Sequence, residues 1–81
     1  MTPKITAAIV ESNHRLIVEF ENGDRGILDM TPFLDFGVFQ ALQDPARFSQ
    51  VRVAFGTIEW PGGIDLDPGF VHSKCQLEIA A

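Results

Sequence analysis

Apolar and polar residues alternate over the first third of the chain with the two-residue period of half-buried strands. From Lys4 to Glu11, Ile5, Ala7 and Ile9 fall on one side and Thr6, Ala8 and Val10 on the other, which predicts a strand. From His14 to Phe20 the alternation is cleaner: Leu16, Val18 and Phe20 point one way, Arg15, Ile17 and Glu19 the other. Asn22-Gly23 follows, the pair that best supplies positive φ at both centres of a type I′ hairpin turn. A two-residue loop there sets Phe20 opposite Arg25, Val18 opposite Ile27 and Leu16 opposite Asp29. Ile17 and Leu28 then share the other face, giving it apolar character too.

Beyond this hairpin the period breaks. Pro32 cannot donate to a strand ladder and steers Thr31 away from the α region. Asp35 is placed to cap a helix running to about Gln43, with Val38, Phe39 and Leu42 on one face. Asp44-Pro45 restarts the pattern with a capping residue and a first-turn proline, leading a second short helix anchored by Phe48 to about Gln50. Val51, Val53 and Phe55 alternate with Arg52 and Ala54, and Gly56 permits a tight turn into Thr57-Ile58-Glu59-Trp60. Pro61-Gly62-Gly63 reverses the chain, Ile64-Asp65-Leu66 is a short extended piece, and Asp67-Pro68 repeats the cap-and-proline device ahead of one helical turn to about Ser73. The tail from Lys74 to Ala81 fits either a frayed end or an edge strand. The expected fold is a single α+β domain over residues 1–81: a small antiparallel sheet of two hairpins plus an N-terminal strand, with two or three short helices packed on it.

Composition narrows the classes of function. With 81 residues the chain has room for one core, and its 46% hydrophobic content with seven phenylalanines excludes disorder. Cys75 is the only cysteine, so no intrachain disulfide is possible and a reducing, cytoplasmic setting is expected. No apolar run approaches the ~18 residues of a membrane span, and the N-terminus lacks the basic-then-apolar pattern of a signal peptide, so a soluble, unprocessed chain is expected. The net charge is −5, and the six basic residues stand singly along the chain. Nucleic-acid binding draws on clustered Lys and Arg, so no direct contact with nucleic acid is expected.

Candidate chemistry is sparse. Asp65 and Asp67 could offer oxygens to a hard cation, as in a small metal-dependent enzyme, but the rest of a calcium loop is missing and capping accounts for Asp67. His72-x-x-Cys75 supplies two soft ligands where zinc takes about four, and only His14 could add a third. The same residues could form a thiol nucleophile and base, yet no oxyanion-binding glycine motif accompanies them. Asp35-Phe36-Gly37 spells the magnesium triplet of kinases with none of its context. The expectation is a chain that is no enzyme, with no metal and no cofactor. Trp60 reads as a core residue or, alternatively, as a half-exposed partner anchor, since tryptophan is enriched at interface hot spots.

Three phrases taken together carry a family likeness: Leu16-Ile17-Val18-Glu19-Phe20-Glu21-Asn22-Gly23, Leu42-Gln43-Asp44-Pro45 with Phe48, and Gly56 through Pro68. They resemble the bacterial domain-of-unknown-function family 2442 with its Trp-Pro-x-Gly-Ile-Asp-x-Asp-Pro run, carried here by Trp60, Pro61, Gly63, Asp65, Asp67 and Pro68. The chain departs from the family pattern after that run, where Gly69-Phe70-Val71-His72 stands in place of the more usual acidic residue, leucine and tyrosine. The resemblance implies a small α+β domain without established catalytic residues. It also implies, from relatives encoded beside a second small protein in toxin and antitoxin-like pairs, a protein partner. The functional expectation is therefore a non-catalytic interaction domain, antitoxin-like or regulatory, or a homodimer, binding through Trp60, Ile17 and Leu28. Asn22, Gly23 and the Trp60 to Pro68 run would serve as its structural motif.

Overall fold

A computed structural model describes residues 3–11 and 14–77. Among these residues seven strands run in the order β1 (Ile5–Val10), β2 (Arg15–Phe20), β3 (Arg25–Asp29), β4 (Arg52–Ala54), β5 (Thr57–Trp60), β6 (Ile64–Leu66) and β7 (Gln76–Leu77), with helices α1 (Pro45–Phe48) and α2 (Pro68–Lys74) between them. The α+β class is as expected, but the strands divide into two antiparallel sheets. One has the order β1-β2-β3-β7 and the other β4-β5-β6. β1 packs against β4 and β5, and the Ile5 amide donates to the Gly56 carbonyl at 2.9 Å, tying the edge of the first sheet to the turn of the second. The tail contributes β7, which pairs with β3 through Gly26–Leu77 and Ile27–Gln76; residues 78–81 lie outside the described residues. So does the Ser12-Asn13 turn expected between β1 and β2.

The β2–β3 register corrects the expected hairpin. Leu16 opposes Leu28, Ile17 opposes Ile27, Val18 opposes Gly26 and Glu19 opposes Arg25. Glu21-Asn22-Gly23 forms a three-residue loop, closed by Gly23 N–H to Phe20 O and Phe20 N–H to Asp24 O, with Gly23 at φ 91°. This is the type I turn plus left-handed glycine that makes a bulged hairpin. Shifting a strand by one residue exchanges its faces. The two-residue loop would have turned Arg25 and Asp29 inward; the observed loop puts fully buried Leu28 beside Leu16 and sends both charges to solvent. Leu28 is thus a core residue and does not share a face with Ile17. The loop's own polar groups support it: Asp24 N–H donates to Asn22 Oδ1, and Asn22 Nδ2 donates to Asp24 Oδ2, both at 3.0 Å.

The type I′ geometry appears instead in the second sheet. Ala54 pairs with Thr57, and the two residues between them, Phe55 and Gly56, both have positive φ, at 53° and 76°. Between the sheets, a 3₁₀ turn at Thr31–Phe33 and a 3₁₀ segment at Gly37–Gln43 replace the expected helix from Asp35. Asp35 caps nothing, because Phe36 occupies the cap position in extended conformation and the chain enters the segment through Gly37 at φ 49°. Gln43 Nε2 donates to Leu34 O at 2.9 Å and holds the segment back against its entry. Asp44 and Asp67 do cap α1 and α2, accepting from Ala46 N–H and Phe70 N–H at 3.0 and 3.1 Å.

All these elements meet in one hydrophobic cluster. Leu16, Val18, Phe20 and Leu28 come from the first sheet, Ile58, Trp60, Ile64 and Leu66 from the second, Leu42 and Phe48 from the helical connection, and Val71 from α2. Each helix is too short to persist alone and is fixed by the residue it lends to this cluster. No charged or polar residue is buried among the described residues.

Candidate functional site

Trp60 is 2% exposed. It stands on β5 directly opposite Ile64 of β6, with Pro61-Gly62-Gly63 as the loop between them. Its ring lies 5.8 Å from that of Phe48, and its Nε1–H donates to the Phe48 carbonyl at 2.9 Å. That bond satisfies the indole and gives a partner to a carbonyl in the last turn of α1, where helix carbonyls lack one. Trp60 is therefore a core residue, and it fastens α1 to the second sheet. Beside it the Pro61-Gly62 loop, Arg47 and Gln50 border a concavity of about 380 Å³, within the usual size range of small-molecule sites. Arg47 is its one cation. No hydrophobic period in the sequence pointed to this hollow, because its walls come from the helical connection and the β5–β6 loop.

The remaining chemistry-bearing residues are placed by structural roles. Asp67 is occupied as the α2 cap. Asp65 is exposed on β6 opposite Glu59, whose carboxylate already takes the Arg52 guanidinium at 2.7 Å. Among the described residues no three His, Cys, Asp or Glu side chains gather as a metal site would need. His72 does meet a carboxylate: its Nε2 lies 2.9 Å from Asp24 Oδ2, joining α2 to the β2–β3 loop, while its ring sits edge-on to Phe20 at 4.9 Å. The His72 and then the Asn22 hydrogen bonds hold the Asp24 carboxyl below its usual range. Cys75 closes α2, and its thiol faces the His72 carbonyl at 3.7 Å. Burial first, and the nearby Asp24 charge, push the Cys75 thiol up. A thiol attacks as thiolate, so a raised value in a buried position makes a poor nucleophile.

The outer face of the first sheet is apolar at its centre, with Ile9 exposed and Ile17 and Ile27 half-buried. On β1, β2 and β3 the outward residues Ile9, Ile17 and Ile27 oppose one another directly and form a continuous apolar row across three strands. Ile9 is 54% exposed, and neither Ile17 nor Ile27 packs against the core cluster. Two cross-strand ion pairs flank the row: Arg15–Asp29 at 3.9 Å and Glu19–Arg25 at 3.8 Å. The Asp29 carboxyl is held low, first by its hydrogen bonds from Thr31 and then by the Arg15 charge. Of the three residues expected to bind a partner, Ile17 lies on this face, whereas Trp60 and Leu28 are buried. Ile27 escapes the sequence reading because the expected register placed it inward, and Ile9 because it is grouped there with Ile5, which an irregularity between Ile5 and Ala7 turns to the core; pairing Leu16 with Leu28 is the signal that identifies Ile27.

Residues 5–69 match the family model described as "Protein of unknown function (DUF2442)". No curated protein and no solved structure matches the chain. The match spans well over half of the sequence, and the chain belongs to this family.

Proposed function

We propose that this member of the family is a non-catalytic interaction domain that receives a protein on the outer face of its four-stranded sheet. One observation carries the reading: the Ile9–Ile17–Ile27 row, with Ile9 exposed and Ile17 and Ile27 half-buried, lies on the face of the sheet turned away from the core. An antiparallel sheet packed on one side ordinarily presents alternating polar residues on the other. A directly opposed isoleucine on each of three strands, edged by charged pairs, has instead the apolar centre and polar rim of a binding patch. Nucleophilic chemistry gains no comparable support, since the single thiol is buried and its partner is a carbonyl oxygen.

The finer proposal is a regulatory, antitoxin-like partner of a small protein encoded next to it, as the family resemblance suggests. Isoleucine methyl spectra of the labelled chain, recorded with the co-expressed neighbouring gene product, test it. Shifts concentrated at Ile9, Ile17 and Ile27 are expected. Binding that leaves these methyls unmoved while shifting those around the Arg47 hollow would move the site to the hollow and sink the proposal.

A further inference from the structure

We infer that this same face, when the neighbouring protein is absent, makes a twofold contact with a second copy of the chain, an inference that rests on the interaction reading. The argument is the arrangement of charge. Along β2 the outward residues run Arg15, Ile17, Glu19; along β3, read in the same direction across the pairing, they run Asp29, Ile27, Arg25. Positive, apolar, negative thus lies beside negative, apolar, positive.

A second copy can be turned onto this face by a twofold axis in the contact plane. With the axis along the strands, Arg15 of each copy meets Asp29 of the other, and Glu19 meets Arg25. With the axis across the strands, Arg15 meets Glu19 and Arg25 meets Asp29. In both cases each of these four charges faces its opposite; with the axis across the strands Ile9, Ile17 and Ile27 each face their own copies, whereas with the axis along the strands Ile9 falls opposite Gln76 of β7. A chequered pattern is the one arrangement of two acids and two bases that is self-complementary under both operations. Self-complementarity is what a twofold interface requires, and like charges set against each other are what normally forbids one. The chain as a whole carries −5 and resists self-association, while the two acids and two bases beside the isoleucine row cancel and Glu11, whose amide donates to the Arg15 carbonyl, adds one acid at the β1 edge.

The size of the face sets the strength. Four strands about 4.8 Å apart and five residues at about 3.3 Å each outline a face on the order of 300 Å². A standard interface takes about 800 Å² from each partner. The dimer is accordingly weak and in exchange with monomer, with a Kd between about 10 μM and about 1 mM.

Sedimentation equilibrium from about 10 μM to about 1 mM spans that range. The wild-type mass is expected to climb from that of one 8.9 kDa chain toward that of two, and Ile17→Glu is expected to stay monomeric with an unchanged far-UV circular dichroism spectrum. Two charge variants keep the inference falsifiable if Ile17→Glu fails to fold. Arg15→Glu with Arg25→Glu makes the rim wholly acidic, and Glu19→Lys with Asp29→Lys makes it wholly basic; each alone should be monomeric, and an equimolar mixture should dimerise more tightly than wild type. A wild-type mass that stays flat, a dimer that persists in folded Ile17→Glu, or charge variants that fail to associate on mixing would each overturn the inference. A flat mass with isoleucine methyl shifts on adding the neighbouring gene product would end self-association and leave the interaction reading intact. A flat mass with no such shifts would end both.

Discussion

The two sheets obey one rule inward and different rules outward. Inward, both present alternate apolar residues to the same core, Leu16, Val18 and Phe20 from β2 and Ile58 and Trp60 from β5. Outward, the central row of the three-stranded sheet is Arg52, Glu59 and Asp65, all polar. The corresponding row of the four-stranded sheet is Ile9, Ile17 and Ile27. Water suits the first row, and the second is the face proposed to receive a partner. Their turns differ in the opposite sense. The Asn22-Gly23 pair, ideal for a tight two-residue loop, sits in a longer one, while the tight loop of the second sheet is made by Phe55-Gly56. Phe55 is fully exposed, at 103% of its reference area, and holds φ 53°. Burial of the correct strand face outweighs local turn preference at the first hairpin. At the second, register and the Ile5–Gly56 contact override the steric cost at Phe55.

The comparison breaks most severely at the core. Trp60→Ala is expected to cost about 3–5 kcal/mol and Leu28→Ala about 2–5 kcal/mol in urea unfolding, enough to unfold much of a marginal domain. Ile27→Thr, on the neighbouring position of β3, should cost less than either. Equal losses at Leu28 and Ile27 would show that the assigned β3 faces are wrong. The turns come next. Phe55→Asn should raise stability by about 1 kcal/mol, because a left-handed backbone costs a bulky residue roughly that much and Asn-Gly suits a type I′ turn. Gly23→Val should lower it by about 1–2 kcal/mol, since no clash but only the positive φ opposes the side chain there. A stability gain at Gly23 and a loss at Phe55 would reverse the reading of both loops.

The smallest effects are electrostatic. Glu59→Gln on the outside of the three-stranded sheet should change stability by about 0.2–1 kcal/mol, as exposed ion pairs do. On the four-stranded side, Asp24 and Asp29 both have depressed carboxyl pKa values. Each therefore releases its proton more readily in the folded chain than in the unfolded one. Their contribution is present in full above about pH 4, the unfolded value, and is lost as the pH falls through the lower folded values. Acid titration of the melting temperature should show a shallower decline for the Asp24→Asn, Asp29→Asn double variant than for wild type. An unchanged acid limb would place the sensitivity in other carboxyls.

Features carried by local chemistry were legible in the sequence. Asp44-Pro45 and Asp67-Pro68 start α1 and α2 where they should, and the β2 alternation gives the correct inner face; Trp60 fits core and partner anchor alike in the sequence, and its burial decides for the core. What could not be read depended on choices made at a distance. The β3 register follows from which residues the core accepts opposite Leu16, and the turn dipeptide alone pointed one residue away. The segment at Gly37–Gln43 is 3₁₀ and not α because its start is set by Gly37 and its Gln43 tether, neither of which a hydrophobic period records. The division into two sheets depends on β1 meeting the β4–β5 turn. The candidate face was half visible, since Ile17 was identified from alternation, but Ile9 and Ile27 join it only when the strands are paired.

The burial of Cys75 beneath the end of α2 gives the molecule a built-in reporter. A sulfhydryl reagent reaches this thiol readily only while the segment around it, the end of α2 and the following β7, moves off the core, so the rate of labelling, divided by the rate for an unprotected thiol, measures the fraction of time that segment spends open. The chain has no second cysteine to confuse the signal. Ordinary thiol labelling thus becomes a clock for one segment of the fold, and the Asp24–His72 contact that pins this helix can be weighed by how much faster the clock runs once Asp24 is replaced.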